Sequence, residues 1–331
     1  MLARYVACII MSALSHYYLM QSDKIALPAY AADSPLGLVV NVILWAYLFT
    51  YAVSTHKTEG DKSEYIQKLP MWKRWVQTNI HDFSVTSETD LDDKTQYIFT
   101  SFPHGAISAN HILSMTDAGG FLSKIYRGER RDLAASVLFY LPVVREILLL
   151  LGNVDAGAVT AKLQLSLKRS LLIFVGGEKE QLMTAPKQHK IFARTRFGFV
   201  KLALLYGAEL VPMYTFGENE VYHISHKFHA LRHWLQRNLS MGISLFHGDG
   251  WHRLSPLKGT ELHMEVAAPV PMPARFRANA TVDSGRGQER LVPSKEDIEA
   301  YHSAFLKAQK HLFERTKGRH GVPKDVQLEI L

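Results

Sequence analysis

Residues 97–110, YIFTSFPHGAISAN, restrict the possible folds more than any other stretch of the chain. Residues 97–100 are an aromatic and β-branched run of the kind that makes a buried strand. Residues 101–105 break that pattern. Pro103 fixes its own φ and drives Phe102 into an extended conformation, while Gly105 permits a sharp turn and a close approach of backbone to ligand. His104 therefore occupies a forced corner at a strand end, and in open α/β sheets ligands bind beyond the carboxyl ends of the strands. Residues 107–115 can start the following helix, leaving His104 close to its N-terminus, where backbone N–H groups face an anion. A histidine so placed, with an ordinary pKa of about 6.5, can take a proton from a hydroxyl near neutral pH. The competing reading is a packed or surface loop histidine, one of sixteen in the chain.

Composition limits what such a corner can serve. A chain of 331 residues suffices for one large domain or two small ones. The hydrophobic fraction of 47% and mean hydropathy of -0.05 are high for a soluble protein and fit a globular domain attached to a membrane. A formal net charge of +7 suits an anionic partner such as nucleic acid, an acidic leaflet or a phosphorylated cofactor. The basic residues are scattered among acidic ones, so no nucleic-acid partner is expected. Cys8 is the single cysteine, which excludes an intrachain disulfide and agrees with a catalytic region facing the reducing cytosol.

Residues 5–22 and 35–55 are two uncharged, apolar stretches, each about the length a bilayer-spanning helix needs. For the first, a cleaved signal peptide is the alternative, given Arg4 and the Ala-Tyr-Ala at residues 29–31; Asp23 and Lys24 weigh against it. Lys57, Lys62, Lys68, Lys73 and Arg74 follow the second stretch, so either reading leaves the main domain in the cytosol. The expected organisation is a membrane hairpin over 1–56, a polar connector over 57–93 and a globular domain over 94–331. In the connector, MWKRWVQ at 71–77 suits a membrane interface or the packing of one tryptophan under a domain. Residues 133–151 are apolar but broken by Pro142 and by Arg145 and Glu146, so a core helix, or one dipping into a single leaflet, is expected rather than a third span.

Other segments can bring polar groups to the rim that holds His104. SLLIFV at 170–175 reads as a buried strand ending in Gly176 and Gly177, whose N–H groups can hold an oxyanion or a phosphate; Glu178 and Glu180 follow. Lys187, Lys190, Arg194 and Arg196 form a basic segment that lines a surface or meets phosphate. Residues 197–207 read as an amphipathic helix closed by Gly207, and 210–216 as a strand whose polar end presents Glu218, Asn219 and Glu220. Those carboxylates either orient a substrate hydroxyl or cap the next helix. His223, His226, His229 and His233 share a broad helical face, but no carboxylate or cysteine lies among them, and no metal site is expected. Residues 261–268 read as a strand and 274–293 as a surface loop. Residues 294–317 close the chain as a helix, with Ser294 as N-cap and Ile298, Tyr301, Phe305 and Leu312 on one face. Strands alternating with helices imply a mixed α/β domain.

Four ordered blocks resemble the type 2 diacylglycerol acyltransferase family, which includes monoacylglycerol acyltransferases and wax synthases. They are YIFTSFPHG at 97–105, VGGEKEQL at 175–182, RFGFVKLALLYGAELVPMYTFGENEVY at 196–222 and LFERTKGRHGVP at 312–323. Phe102 departs from the family pattern, standing where His-Pro-His-Gly has its first histidine. The resemblance implies a glycerolipid-acyltransferase-like mixed sheet with flanking helices, preceded by an N-terminal transmembrane hairpin. It implies transfer of a fatty acyl group from acyl-CoA to diacylglycerol at the endoplasmic reticulum membrane, with the catalytic domain facing the cytosol, and is compatible with lipid-droplet association and a homo-oligomer. Membrane lipid surrounds such an enzyme, acyl-CoA is its substrate, and neither a metal nor a cofactor is needed. His104 and Glu180 are the implied catalytic residues. Phe102, Pro103, Gly105, Gly176, Gly177, Arg196, Gly198, Glu218, Asn219 and Glu220 are the implied substrate-binding residues. The wider glycerolipid acyltransferases pair such a histidine with an aspartate five residues on. Ala109 stands there, so Glu180 is expected to hold the second imidazole nitrogen. A monoacylglycerol or long-chain alcohol acceptor, and a non-catalytic lipid-binding or scaffold protein, are the alternatives.

Overall fold

The computed structural model describes residue 47 and residues 56–225, 227, 232, 234, 245–250, 253–282 and 289–331. The expected hairpin over 1–56, apart from Tyr47 and His56, lies outside the described residues, as do His226, His229 and His233. Among the described residues no helix is long and apolar enough to cross a membrane.

Strands are β1 (Asp82–Ser87), β2 (Tyr97–Phe102), β3 (Arg130–Ala134), β4 (Asn153–Asp155), β5 (Ser170–Phe174), β6 (Lys190–Ile191), β7 (Glu209–Phe216), β8 (His223–Ser225), β9 (Leu245–His247), β10 (Glu261–Val266) and β11 (Glu329–Ile330). The longer helices are α1 (Pro70–Asn79), α2 (His111–Met115), α3 (Val144–Leu150), α4 (Ala158–Ser166), α5 (Gly177–Met183), α6 (Gly198–Tyr206) and α7 (Lys295–Thr316). The main sheet runs β1-β10-β7-β2-β5-β3-β4. From β7 to β4 every neighbour is parallel, whereas β10 runs antiparallel to β7 and parallel to β1. The sheet is therefore mixed, as expected, with its five-stranded parallel part running from β7 to the β4 edge.

Strand β2 is buried along its whole length, as a central strand covered on both faces must be. Its residues alternate between two cores. Ile98 and Phe102 pack with Leu165 of α4, Phe199 of α6 and Phe305 of α7; Tyr97 and Phe99 pack with Val76 of α1, Leu113 of α2 and Phe121. Helix α7 starts as its sequence predicts, since Ser294 and Asp297 each accept the other's backbone N–H. It ends at Thr316, within one residue of the expected end, and a separate 3-10 turn over Lys317–His320 follows, closed by Gly321 at φ 70.

Three further expectations change. The connector is largely folded, with α1 and then β1, which pairs with β10 as an edge of the main sheet. Residues 133–151 do not form one helix: they finish β3, make a 3-10 turn at Ser136–Tyr140 and restart after Pro142 as α3. Residues 274–282 make helical turns rather than an open loop, because Phe276 is buried and Asn279 Nδ2 donates to the carbonyls of Leu204 and Leu291, both at 2.9 Å.

Phe102 is 0% exposed and packs against Phe305, the rings tilted with centroids 6.5 Å apart. Phe102→Ala is expected to cost about 3–5 kcal/mol. Phe102→His is expected to cost about 1–3 kcal/mol by burying a polar ring among apolar ones. Thermal or denaturant unfolding of the detergent-extracted protein checks both, and a Phe102→His protein as stable as wild type contradicts the assignment of this position to the core.

Candidate active site

The connection from β2 leads to β3, beyond β5, and that from β5 leads back past β2 to β7. Adjacent strands whose connections leave in opposite directions open a crevice at their carboxyl ends. The three motifs that the sequence singles out follow the adjacent strands β7, β2 and β5, so the chain delivers all of them to that rim. Pro103 and His104 follow β2, Gly176 to Glu180 follow β5, and Gly217 to Glu220 follow β7.

His104 does not sit at a helix N-terminus. The chain turns at residues 104–108, with Ser108 N–H donating back to the His104 carbonyl (3.0 Å), and α2 begins only at His111. The imidazole stands edge-on to Phe174, the last residue of β5, at 5.4 Å between centroids. Its Nδ1 lies 3.2 Å from the Gly105 carbonyl oxygen and 3.2 Å from Ser108 Oγ. A carbonyl only accepts, so Nδ1 carries the hydrogen in that contact and Nε2 is left as the basic nitrogen. The ring keeps some solvent contact, yet the protein packed around it pushes its pKa down to about 4, the Gly105 carbonyl acting the other way. It is a neutral base at physiological pH.

Glu180 reaches this loop, but not the ring. Its Oε1 accepts the backbone N–H of His104 (2.5 Å) and its Oε2 that of Phe192 (2.8 Å), while the ring nitrogens face Gly105 and Ser108. The expected pairing of Glu180 with the second imidazole nitrogen is thus corrected: Glu180 fixes the backbone that carries the histidine. Burial raises its pKa to about 7, against the pull of the two N–H groups and the charge of Arg196. The carboxylate folds back under the turn after β5, and a Cβ on Gly176 would come within 2.1 Å of its Oε2.

Glu218 does the same from the other side. Its two oxygens accept the N–H groups of Ala109 (2.9 Å) and Asn110 (2.7 Å), so the donors that were expected to greet a ligand anion hold a carboxylate of the chain itself. Burial lifts its pKa well above the usual value, against the pull of those two N–H groups. Gly105 is required here: at φ 62, its missing Cβ would lie 2.0 Å from Glu218 Oε1. Asn219 Nδ2 donates to the Gln188 carbonyl (2.8 Å), and Glu220 accepts the N–H of Lys187 (2.5 Å). Arg196 lies over Phe192 at 5.1 Å and donates to the Gly176 carbonyl (3.2 Å). Gly177 and Gly198 have open space where a Cβ would stand. Phe102 and Pro103 are buried, which takes Phe102 out of the expected substrate-binding set, since its ring lies in the core against Phe305.

Sequence reading did not find Ser108, Phe174 or His111. His111 Nε2 lies 2.8 Å from Asp132 Oδ2, a partner 21 residues away on β3, and no local spacing signals such a pair.

Two outcomes test this construction. Glu180→Gln leaves one N–H facing an amide donor and is expected to cost about 1–3 kcal/mol. The folded carboxyl keeps its proton up to about 7 whereas the unfolded one loses it near 4.5, so wild-type stability relative to Glu180→Gln should fall as pH rises between those values. Unfolding midpoints across that range read both, and a difference that grows with pH refutes the assignment. Gly105→Ala should be worse than Gly177→Ala, because only the first drives a methyl group into a buried carboxylate.

Residues 36–331 match the family described as Diacylglycerol acyltransferase. The 2-acylglycerol O-acyltransferase 3 of Homo sapiens is 28% identical over 321 residues, covering 89% of this chain and 88% of that protein. The Diacylglycerol O-acyltransferase 2-like protein 6 of Mus musculus is 30% identical over 309 residues, with 87% and 86% covered. Diacylglycerol O-acyltransferase 2 of Bos taurus is 29% identical over 300 residues, with 85% and 78% covered. Among solved structures, the 1-acyl-sn-glycerophosphate (LPA) acyltransferase of Thermotoga maritima aligns with a TM-score of 0.42 at 12% identity, over 75% of this chain and 79% of that one. A match that takes in both the His104 rim and the closing helix leaves one conclusion: the chain belongs to the diacylglycerol acyltransferase family.

Proposed function

We propose that this acyltransferase moves a fatty acyl group from acyl-CoA to diacylglycerol, giving triacylglycerol and free CoA, with His104 as general base. The observation that carries the reading is His104 itself: a neutral imidazole in the crevice between β2 and β5, with Nδ1 satisfied by Gly105 and Nε2 left basic. His104 Nε2 removes the acceptor's hydroxyl proton as that oxygen attacks the thioester carbonyl. Backbone N–H groups at Gly176 and Gly177 hold the developing oxyanion, and the open space beside Gly177 leaves room for the acyl carbonyl. Glu180 and Glu218 take no proton in this scheme; they hold the His104 loop rigid from two sides.

The same reading places the enzyme in the endoplasmic reticulum membrane, anchored by residues 5–22 and 35–55, with the domain on the cytosolic side where acyl-CoA is supplied. Diacylglycerol and surrounding lipid reach the crevice from the bilayer. A monoacylglycerol acceptor is the second reading, favoured by the likeness to 2-acylglycerol O-acyltransferase 3. Labelled acyl-CoA offered to membranes with mono- and diacylglycerol in competition decides between them, and transfer to neither overturns both.

His104→Ala should lower kcat/KM on the order of 10³-fold or more, and an unchanged rate removes His104 from the mechanism. Since burial holds the imidazole near 4 rather than 6.5, the loss of kcat/KM that comes from protonating the base should set in only below about pH 5, and a loss centred near 6.5 contradicts the assignment.

A further inference from the structure

The crevice wall carries a second imidazole that the mechanism above leaves idle. His111 opens α2, and its Nε2 meets Oδ2 of Asp132 at 2.8 Å. Asp132 is buried and gripped by Arg130, whose Nε donates to Oδ1 at 2.7 Å and Nη2 to Oδ2 at 3.0 Å. Arg130 is itself anchored by the Ser114 carbonyl (2.6 Å) and lies over the Phe121 ring at 4.7 Å. Burial opposes ionisation of Asp132, but the Arg130 charge and the His111 and Arg130 hydrogen bonds hold its pKa below its usual value. An ionised carboxylate only accepts, so Nε2 of His111 carries a hydrogen and Nδ1 is the ring's other working nitrogen. Nδ1 has no hydrogen-bond partner among the described residues, and the side chain keeps 12% exposure.

His111 and His104 stand edge-on to the same ring, Phe174, at 5.3 and 5.4 Å. Their settings are opposite. Among the described residues no carboxylate touches the His104 ring, whereas the His111 ring is tied to a buried one that can balance the charge of a doubly protonated imidazole. Two titratable groups that share one neighbouring ring and lie in contrasting surroundings are suited to opposite proton duties.

We propose that His111 is a second catalytic residue, a general acid that delivers the proton of its Nδ1 to the departing sulfur of CoA. The acceptor oxygen bonds to the carbonyl carbon and loses its proton to His104 Nε2. The C–S bond then breaks with its electron pair going to sulfur, which takes the proton from Nδ1 of doubly protonated His111, while Asp132 remains a carboxylate. Return of the His104 proton to His111 through solvent resets both rings, so one proton has passed from alcohol to thiol. Asp132 and Arg130 are positioning residues in this step.

The inference rests on the acyl-CoA reading, and its test uses the full chain in membranes. Wild type, His111→Gln and His104→Ala are compared on two thioesters of one acyl group: acyl-CoA, and an aryl thioester of the thionitrobenzoate type, whose thiolate departs without being protonated. Glutamine at 111 can still donate to Asp132. His111→Gln should be slowed on the order of 10²-fold with acyl-CoA and less than about tenfold with the aryl thioester. His104→Ala should be slowed alike with both. Asp132→Asn, of the same size, should show a smaller loss with the same dependence on the thioester. Equal slowing of His111→Gln on both thioesters, or no slowing with acyl-CoA, overturns the proposal. The aryl thioester rate of each variant also reports its folding. If instead wild type itself moves no acyl group from CoA to an acylglycerol, it is the acyltransferase reading that fails.

Discussion

The loop between β2 and α2 leaves backbone N–H groups at residues 104, 109 and 110 beneath protein and outside any helix, and they must find acceptors there. Two buried carboxylates supply them, Glu180 from the turn after β5 and Glu218 from the turn after β7. Burying a carboxylate is costly, and the raised pKa of each records that cost. What offsets it is hydrogen bonding to donors that would otherwise be orphaned. The demand then propagates: Gly105 and Gly176 must lack side chains because the carboxylates occupy the space where a Cβ would stand. Three sequence blocks that lie far apart in the chain thus form one mechanical unit around a single imidazole.

The alternation of β2 explains how one strand can serve both core and site. Ile98 and Phe102 point into one core and Tyr97 and Phe99 into the other, and the chain leaves the sheet directly after Phe102. Position 102 is thereby committed to packing on Phe305, while His104, two residues further along, belongs to the crevice. The phenylalanine at position 102, the departure from the His-Pro-His-Gly pattern, is a core residue in this chain and lies away from the groups that face the crevice.

Much of this was legible in the sequence where periodicity is strong. The run SLLIFV became β5, FGFVKLALLY became α6 with Gly207 closing it in the left-handed conformation, and Ser294 capped α7. The convergence of His104, Glu180 and Glu218 on one rim was also readable, since each follows a strand and strands of one parallel sheet end together. What each carboxylate touches was not, because a choice between a ring nitrogen and a backbone N–H a few ångströms away leaves no trace in spacing. The apolar pattern of residues 107–115 suggested an early helix, and tertiary demand overrode it: the N–H groups of Ala109 and Asn110 are better served by Glu218 than by another helical turn. Residues 82–87 looked like connector because their partner strand lies so far along the chain.

That distance has a consequence for how the protein is made. Ser84 of β1 bonds to His263 of β10 across 179 residues, and β10 is the strand that joins β1 to the rest of the sheet. During synthesis β1 therefore waits for its neighbour for roughly ten to thirty-five seconds at ordinary elongation rates, with its backbone donors and acceptors unpaired. An unpaired strand is a template for pairing with the wrong chain. The parallel strands β2 to β7 can assemble once β7 has emerged, so the nascent protein passes through a stage in which the rim around His104 is built but one flank of the sheet is still missing.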